Sequence, residues 1–100
     1  MNSAETPANA NPAKLKYSVA ITVYNEEDNI APVLAELYPV MECLGETFEV
    51  VYCDDASTDR TAERLRAAQA RHGNLRVVRH RDNRGKSVAL WSAVDAASAR

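Results

Sequence analysis

The sequence predicts an α/β fold, a parallel sheet with flanking helices. Apolar, β-branched runs alternate with segments of helical periodicity, in the order strand, helix, strand, helix, strand, helix. The polar turns that join them are short, about 3–6 residues. Strands joined through helices in this way run parallel, with right-handed crossovers.

The first strand is predicted over residues 17–24, an apolar run that we expect to be largely buried on both faces. A polar turn follows, and Asp28 or Asn29 is suited to cap the first helix. Pro39 interrupts the helical pattern and is expected to kink or shorten that helix, which Gly45 ends.

The second strand is predicted over residues 49–53 and the second helix over residues 59–71. The run at residues 75–80 alternates in part, as expected of a third strand nearer a sheet edge. A third helix is predicted over residues 86–97, with Trp91 in the core.

The chain has 100 residues, which suits one small domain or a piece of a larger one. Residues 1–15 carry few large apolar side chains and are predicted to be a disordered tail, so that the domain comprises residues 16–100. A net charge of −2 disfavours non-specific binding to nucleic acid. No apolar run approaches the ~18 residues of a membrane span, and a basic-then-apolar signal is missing, so we expect a cytoplasmic protein.

The cysteines and histidines give no metal-binding pattern. Cys43 and Cys53 fit neither a ligand spacing nor a disulfide framework and are interpreted as buried free thiols. His72 and His80 are isolated in the sequence, and we expect no ligand role for either.

Three turns follow the three strands, at residues 24–29, 54–59 and 82–86. Parallel topology places all three at one edge of the sheet, where open α/β sheets bind ligands. The first two are rich in acids and hydrogen-bonding groups, and the third carries cations beside Gly85. The sequence therefore predicts a ligand crevice at this edge.

The second turn opens with two adjacent carboxylates, Asp54 and Asp55. Burying both would be costly unless cations or hydrogen-bond donors meet them, so we expect them to face the crevice. The structural alternative is a solvated acidic turn that caps a helix. Ser57, Thr58 and Asp59 are interpreted as such caps.

A dinucleotide-binding fold is excluded, because its first turn needs glycines that let a pyrophosphate approach. Here that turn has three carboxylates and no glycine, which would repel phosphate. Carboxylates at strand ends can instead accept hydrogen bonds from a base N–H or from ribose hydroxyls. Tyr24 can pack on the base, and a diphosphate would lie near the cationic third turn and a divalent metal.

The three turns carry a family resemblance. Residues 24–30 (YNEEDNI), 54–61 (DDASTDRT) and 83–90 (NRGKSVAL) resemble the N-terminal half of a family 2 glycosyltransferase with the Rossmann-like GT-A fold. Among its members, the polyprenyl-phosphate sugar transferases, such as dolichyl-phosphate mannosyltransferase, are similar. The resemblance covers residues 17–97 and implies nucleotide-binding roles, but no catalytic ones, for seven residues: Tyr24, Glu26, Asp54, Asp55, Asn83, Gly85 and Lys86.

The sequence departs from the family pattern in three ways. Thr22 stands where proline is usual, and Ala56 and Arg60 stand at positions that are often glycine. The sequence also stops before the family's Asp-x-Asp strand, so we expect a domain truncated ahead of that strand. The resemblance implies that the complete enzyme uses Mg²⁺ or Mn²⁺, with ligands outside this chain, and that the chain alone is inactive.

The resemblance implies transfer of a sugar from a UDP- or GDP-linked donor to an acceptor such as a polyprenyl phosphate. A lipid acceptor would bring the protein to the inner membrane surface as a peripheral protein. The alternative from another class is a non-catalytic remnant or interaction module, whose open sheet edge is covered by a partner or by self-association. A receiver-like signalling domain is disfavoured, because its acidic pair would follow the first strand rather than the second.

Overall fold

The computed structural model describes residues 15–97, and most of the predicted tail lies outside them. Strands and helices alternate along the chain, as predicted. In order they are β1 (Tyr17–Val23), α1 (Ile30–Cys43), β2 (Phe48–Asp54), α2 (Thr61–Arg71), β3 (Leu75–Arg79) and α3 (Lys86–Ala96).

The three strands form one parallel sheet in the order β1-β2-β3, which confirms the predicted fold class. Asp54 at the end of β2 is in register with Val23 of β1 and Arg79 of β3. The strands therefore end together, and the loops that follow them leave from one edge. We call residues 24–29, 55–60 and 80–85 the first, second and third loops.

β2 is the central strand, and all seven of its residues are buried. β1 was predicted to be largely buried on both faces, but only Val23 is fully buried and most of its residues are half-buried. The reason is its position, because β1 has a neighbouring strand on one side only within the described sheet.

Apolar side chains form a cluster on each face of the sheet. The larger cluster joins β2 to α1 and α2 and includes Ile30, Leu34, Val50, Tyr52 and Leu65. The smaller one, on the opposite face, joins Val51 and Cys53 to Ala89 and Ala93 of α3. Small alanine side chains let α3 lie close to the sheet.

The prediction that Trp91 belongs to the core was wrong, since it is 73% exposed. Ala89 and Ala93 define the buried stripe of α3, and Trp91 lies about 200° around the helix from Ala89. The helix carries apolar residues on all sides, with Val88, Leu90 and Val94 also exposed, so its pattern did not indicate which side would be buried.

The ends of α1 were well predicted. Asn29 occupies the N-cap position, although its side chain donates to Glu26 Oε1 (2.9 Å) rather than capping the helix. The helix continues past Pro39, and Gly45 follows its end with a φ of +72°. Cys43, predicted to be buried, is exposed in the last turn.

Cys53 is fully buried, as predicted. Within residues 15–97, no helix combines the length and the apolar character needed to cross a bilayer.

Candidate functional site

A cavity of about 340 Å³ opens at the edge of the sheet where the strands end, and we call it the rim cavity. Six of the seven residues predicted to bind a nucleotide lie in its wall. Its lining comprises Thr22, Val23, Tyr24, Glu26, Asp55, Asn83, Gly85, Lys86 and Ala89. The structure thus brings the first loop, the second loop and the start of α3 together around one space.

Asn25 connects the first loop to the second by hydrogen bonds, a role that sequence reasoning missed. Its Oδ1 accepts hydrogen bonds from the backbone N–H groups of Thr58 (2.7 Å) and Asp59 (3.3 Å), and its own N–H donates to Ser57 Oγ (2.9 Å). Asn25 has a φ of +53°, a conformation that asparagine tolerates better than most residues. An asparagine in the turn that follows a strand was the available signal.

Glu26 is positioned from both sides. Its N–H donates to Thr61 Oγ1 (2.9 Å), and its Oε1 accepts from the Asn29 side chain (2.9 Å). The carboxylate is thereby held in the wall of the rim cavity. An ionised carboxylate can accept about four hydrogen bonds, so Glu26 can also accept one from a ligand.

Asp59 was predicted as a cap, but Arg60 occupies the N-cap position of α2, and Asp59 supports the start of the helix from the residue before it. Its Oδ1 accepts from the N–H (2.9 Å) and the hydroxyl (2.5 Å) of Thr61. Burial raises the pKa of Asp59, but the bonds from Thr61 and the Glu27 N–H more than offset it, and the net pKa lies below its usual value. Ser57, also predicted as a cap, instead accepts from Asn25.

Asp55 connects the second loop to the third. Oδ1 accepts from the Arg84 N–H (3.0 Å) and lies 2.7 Å from His80 Nδ1, and Oδ2 accepts from the Gly85 N–H (2.8 Å). Burial raises the pKa of Asp55, but the hydrogen bonds from Arg84, His80 and Gly85 outweigh it and lower the pKa below its usual value. The carboxylate is therefore ionised and almost wholly enclosed.

His80, isolated in the sequence, has three polar partners in the structure. Besides its contact with Asp55, its Nε2 lies 2.7 Å from Ser92 Oγ of α3 and 3.7 Å from Cys53 Sγ of β2. The available signal was its place directly after β3, the strand next to β2 in the sheet. Parallel strands that end in register bring the residues after them together.

Asp54, the seventh predicted residue, does not line the rim cavity. Its side chain is fully buried beneath the second loop, where Oδ1 accepts from the Ser57 N–H (3.0 Å). Oδ2 lies 3.7 Å from Arg79 Nε and has no hydrogen bond within the described residues. This geometry gives Asp54 a part in building the turn and does not support its predicted contact with a nucleotide.

Ala56 adopts the left-handed conformation, with a φ of +64°. The family that the sequence resembles often has glycine at this position. The turn keeps the left-handed geometry without one, at an expected cost of about 1–2 kcal/mol for a residue with a Cβ. Arg60, the other position, has an ordinary φ of −89°.

The third loop and the start of α3 bring a cation to the lining of the rim cavity. Lys86 begins α3, whose N-terminus carries a partial positive charge. Gly85 precedes it with a φ of +93°, so this position favours glycine for its backbone conformation, although a Cβ would meet no atom within 4 Å. The lining of the rim cavity therefore combines acceptors (Glu26, Asp55) with a cation (Lys86).

Residues 15–97 contain no group of three or more His, Cys, Asp or Glu side chains that could hold a metal ion. A second space of about 420 Å³ lies between α1 and α2, and none of the predicted residues lines it. Its lining is mainly apolar but also includes Glu42, Arg64 and Arg71, and none of the three loops that follow the strands contributes to it.

Residues 18–100 match the family described as glycosyl transferase family 2, and the chain belongs to that family. This confirms the resemblance that the three turns carry. It also agrees with the geometry, in which those turns meet around one cavity.

The chain is similar to particular members of the family. It is 46% identical over 80 residues to undecaprenyl-phosphate 4-deoxy-4-formamido-L-arabinose transferase of Pseudomonas paraeruginosa, an alignment that covers 78% of this chain and 23% of that protein. The mannosyltransferase PcManGT of Pyrobaculum calidifontis, solved with GDP-Man and Mn²⁺, aligns at 30% identity with a TM-score of 0.62, covering 87% of this chain and 26% of that one. S. aureus TarS 1-349, solved with UDP, aligns at 30% identity with a TM-score of 0.62, covering 83% of this chain and 24% of that one. The chain thus spans about a quarter of the length of these relatives.

Proposed function

We propose that this chain supplies the nucleoside-binding part of a glycosyltransferase that moves a sugar from a UDP- or GDP-linked donor to an acceptor. One observation carries the proposal: six residues from three separate turns line a single cavity at the carboxyl edge of a parallel sheet. The solved relatives that contain GDP-Man or UDP support the choice of ligand.

The residues of the rim cavity divide between the two ends of such a ligand. Tyr24, 45% exposed, offers a ring on which a base can stack. Glu26 and Asp55 accept hydrogen bonds from base N–H groups or ribose hydroxyls. Lys86 faces the diphosphate, while Asn83 and Gly85 close the cavity beside it.

The acceptor and the metal belong to the complete enzyme of the proposal. A polyprenyl phosphate acceptor is supported by the undecaprenyl-phosphate transferase relative, and it implies peripheral association with the cytoplasmic face of a membrane. A divalent metal is supported by the Mn²⁺ in the mannosyltransferase structure. Because residues 15–97 offer no metal cluster, no step through a metal is assigned to them. We therefore expect weak nucleotide binding and no sugar transfer from this chain alone.

Isothermal titration calorimetry of the folded chain with UDP, GDP and uridine tests the proposal. Replacing Lys86 with alanine should weaken UDP binding about tenfold and leave uridine binding unchanged, because the lysine faces only the diphosphate. Lys16→Ala is the matched control, since Lys16 precedes β1 at the opposite end of the sheet. Absence of heat with both nucleotides would refute the proposal.

A second candidate, an interaction module, rests on the exposed apolar side chains of α3. Val88, Leu90, Trp91 and Val94 are each more than 40% exposed, which is unusual for four large apolar residues of one helix. Size-exclusion chromatography with light scattering separates the candidates. A monomer that binds UDP or GDP favours the transferase fragment, and a stable dimer indifferent to both favours the module.

A further inference from the structure

The third loop is held over the rim cavity by one carboxylate. Asp55 accepts the backbone N–H groups of Arg84 and Gly85, so its two oxygens fix two successive residues of that loop. Asn83, Gly85 and Lys86, which line the cavity, lie next to these bonds in the chain. The position of these three residues therefore depends on the orientation of the Asp55 side chain.

His80 contacts the same carboxylate. Because Asp55 is an acceptor only, the 2.7 Å contact requires Nδ1 to carry the proton and donate. In the neutral ring Nε2 is then the acceptor, and it receives the Ser92 hydroxyl at 2.7 Å. The imidazole, whose side chain is only 10% exposed, thereby links β3, the second loop and α3.

We infer that His80 is a positioning residue that holds Asp55 in the orientation that keeps the third loop closed over the rim cavity. The effect of this positioning on nucleotide binding rests on the proposed function, in which a closed third loop presents Lys86 to a diphosphate. The loop is then in place before any nucleotide arrives, so the free energy of binding is not reduced by the entropic cost of ordering the loop.

Two substitutions at His80 separate positioning from simple packing. Asparagine places an amide N–H near the position of imidazole Nδ1, and glutamine places one near that of Nε2. His80→Asn should therefore keep the bond to Asp55, while His80→Gln should lose it and keep the contact with Ser92.

Hydrogen exchange of the Arg84 and Gly85 amides, followed by NMR on the full chain, reads the closure of the third loop directly. We expect exchange at both amides to rise about tenfold in His80→Gln and to stay within about threefold of wild type in His80→Asn. His72→Gln is the matched control, because His72 stacks on Tyr38 (centroids 3.9 Å apart), away from the rim cavity. Unchanged exchange in His80→Gln, or equal effects of the two His80 variants, would overturn the inference.

UDP titrations of the same variants keep this inference separate from the proposed function. If wild type binds UDP, His80→Gln should bind it about tenfold more weakly and His80→Asn about as well as wild type. If wild type binds neither UDP nor GDP, the proposed function fails, while the exchange data still decide whether His80 holds the loop.

If His80→Gln does not fold, Ser92→Ala replaces it. That variant removes the bond to Nε2 and leaves the rest of the imidazole environment in place. Exchange at the Arg84 and Gly85 amides should then rise about threefold, because the ring is less firmly oriented. No rise in a folded Ser92→Ala variant would overturn the inference.

Discussion

Substitutions at the two adjacent aspartates should differ in their effect on nucleotide binding. Asp54 lies beneath the second loop, and Asp55 lies in the wall of the rim cavity. We predict that Asp54→Ala lowers the free energy of unfolding but leaves UDP affinity unchanged in the folded molecules. Asp55→Asn should weaken UDP binding.

The magnitude for Asp54 follows from its contacts. Losing the bond from the Ser57 N–H, made to a buried charged acceptor, costs about 1.5–3 kcal/mol. The ion pair with Arg79 adds no more than about 0.5 kcal/mol, since that arginine is 52% exposed and the contact is long at 3.7 Å. The total of about 2 kcal/mol corresponds to a melting temperature lower by about 8–16 °C for a domain of this size.

Asp54→Asn is the matched control. The amide keeps an acceptor for the Ser57 N–H and removes a buried charge whose Oδ2 has no hydrogen bond within residues 15–97. Its cost should therefore stay below about 1 kcal/mol. Urea unfolding followed by circular dichroism measures the stabilities. Calorimetry with UDP measures binding under conditions in which the variants are folded to the same extent. If Asp54→Asn weakens UDP binding as much as Asp55→Asn does, Asp54 contacts the nucleotide and this interpretation is wrong.

Two further predictions concern stability. Ala56→Gly should raise the free energy of unfolding by about 0.5–1 kcal/mol, because it relieves the left-handed strain at a φ of +64° but adds chain entropy to the unfolded state; urea unfolding tests it, and a loss of stability would contradict it. The lowered pKa of Asp55 means that its contribution to stability is present above its ordinary value of 3.8 and is lost as the pH falls through the lowered value. The difference in unfolding free energy between wild type and Asp55→Asn should therefore shrink from about pH 5 to about pH 2, whereas exposed Asp82→Asn should show little difference throughout. A difference that does not change with pH would contradict the assigned direction of the shift.

Much of the fold and of the candidate site could be predicted from local patterns. Alternating apolar runs and helical periodicity located the six elements, because such patterns report which residues can be buried in each kind of element. The three turns that follow the strands were placed at one edge by the topology alone, since parallel strands share the direction of their ends. The family resemblance of those turns then singled out Glu26, Asp55 and Lys86 as binding residues.

What the sequence could not decide were contacts between residues distant in the chain. Asp54 and Asp55 are adjacent and chemically identical, and only the alternation of side chains at the end of β2 sends one beneath the loop and the other into the cavity wall. A pattern of apolar residues does not distinguish Trp91 from the alanines of α3. Because the helix lies close to the sheet, the small alanine side chains are the ones buried between them.

The sequence by itself determined which elements form and at which edge of the sheet their polar loops meet, because both follow from local periodicity and chain direction. The tertiary structure decided which side chains meet there. The bond between His80 and Asp55 joins residues 25 positions apart, and it exists because β2 and β3 pair in register and end side by side.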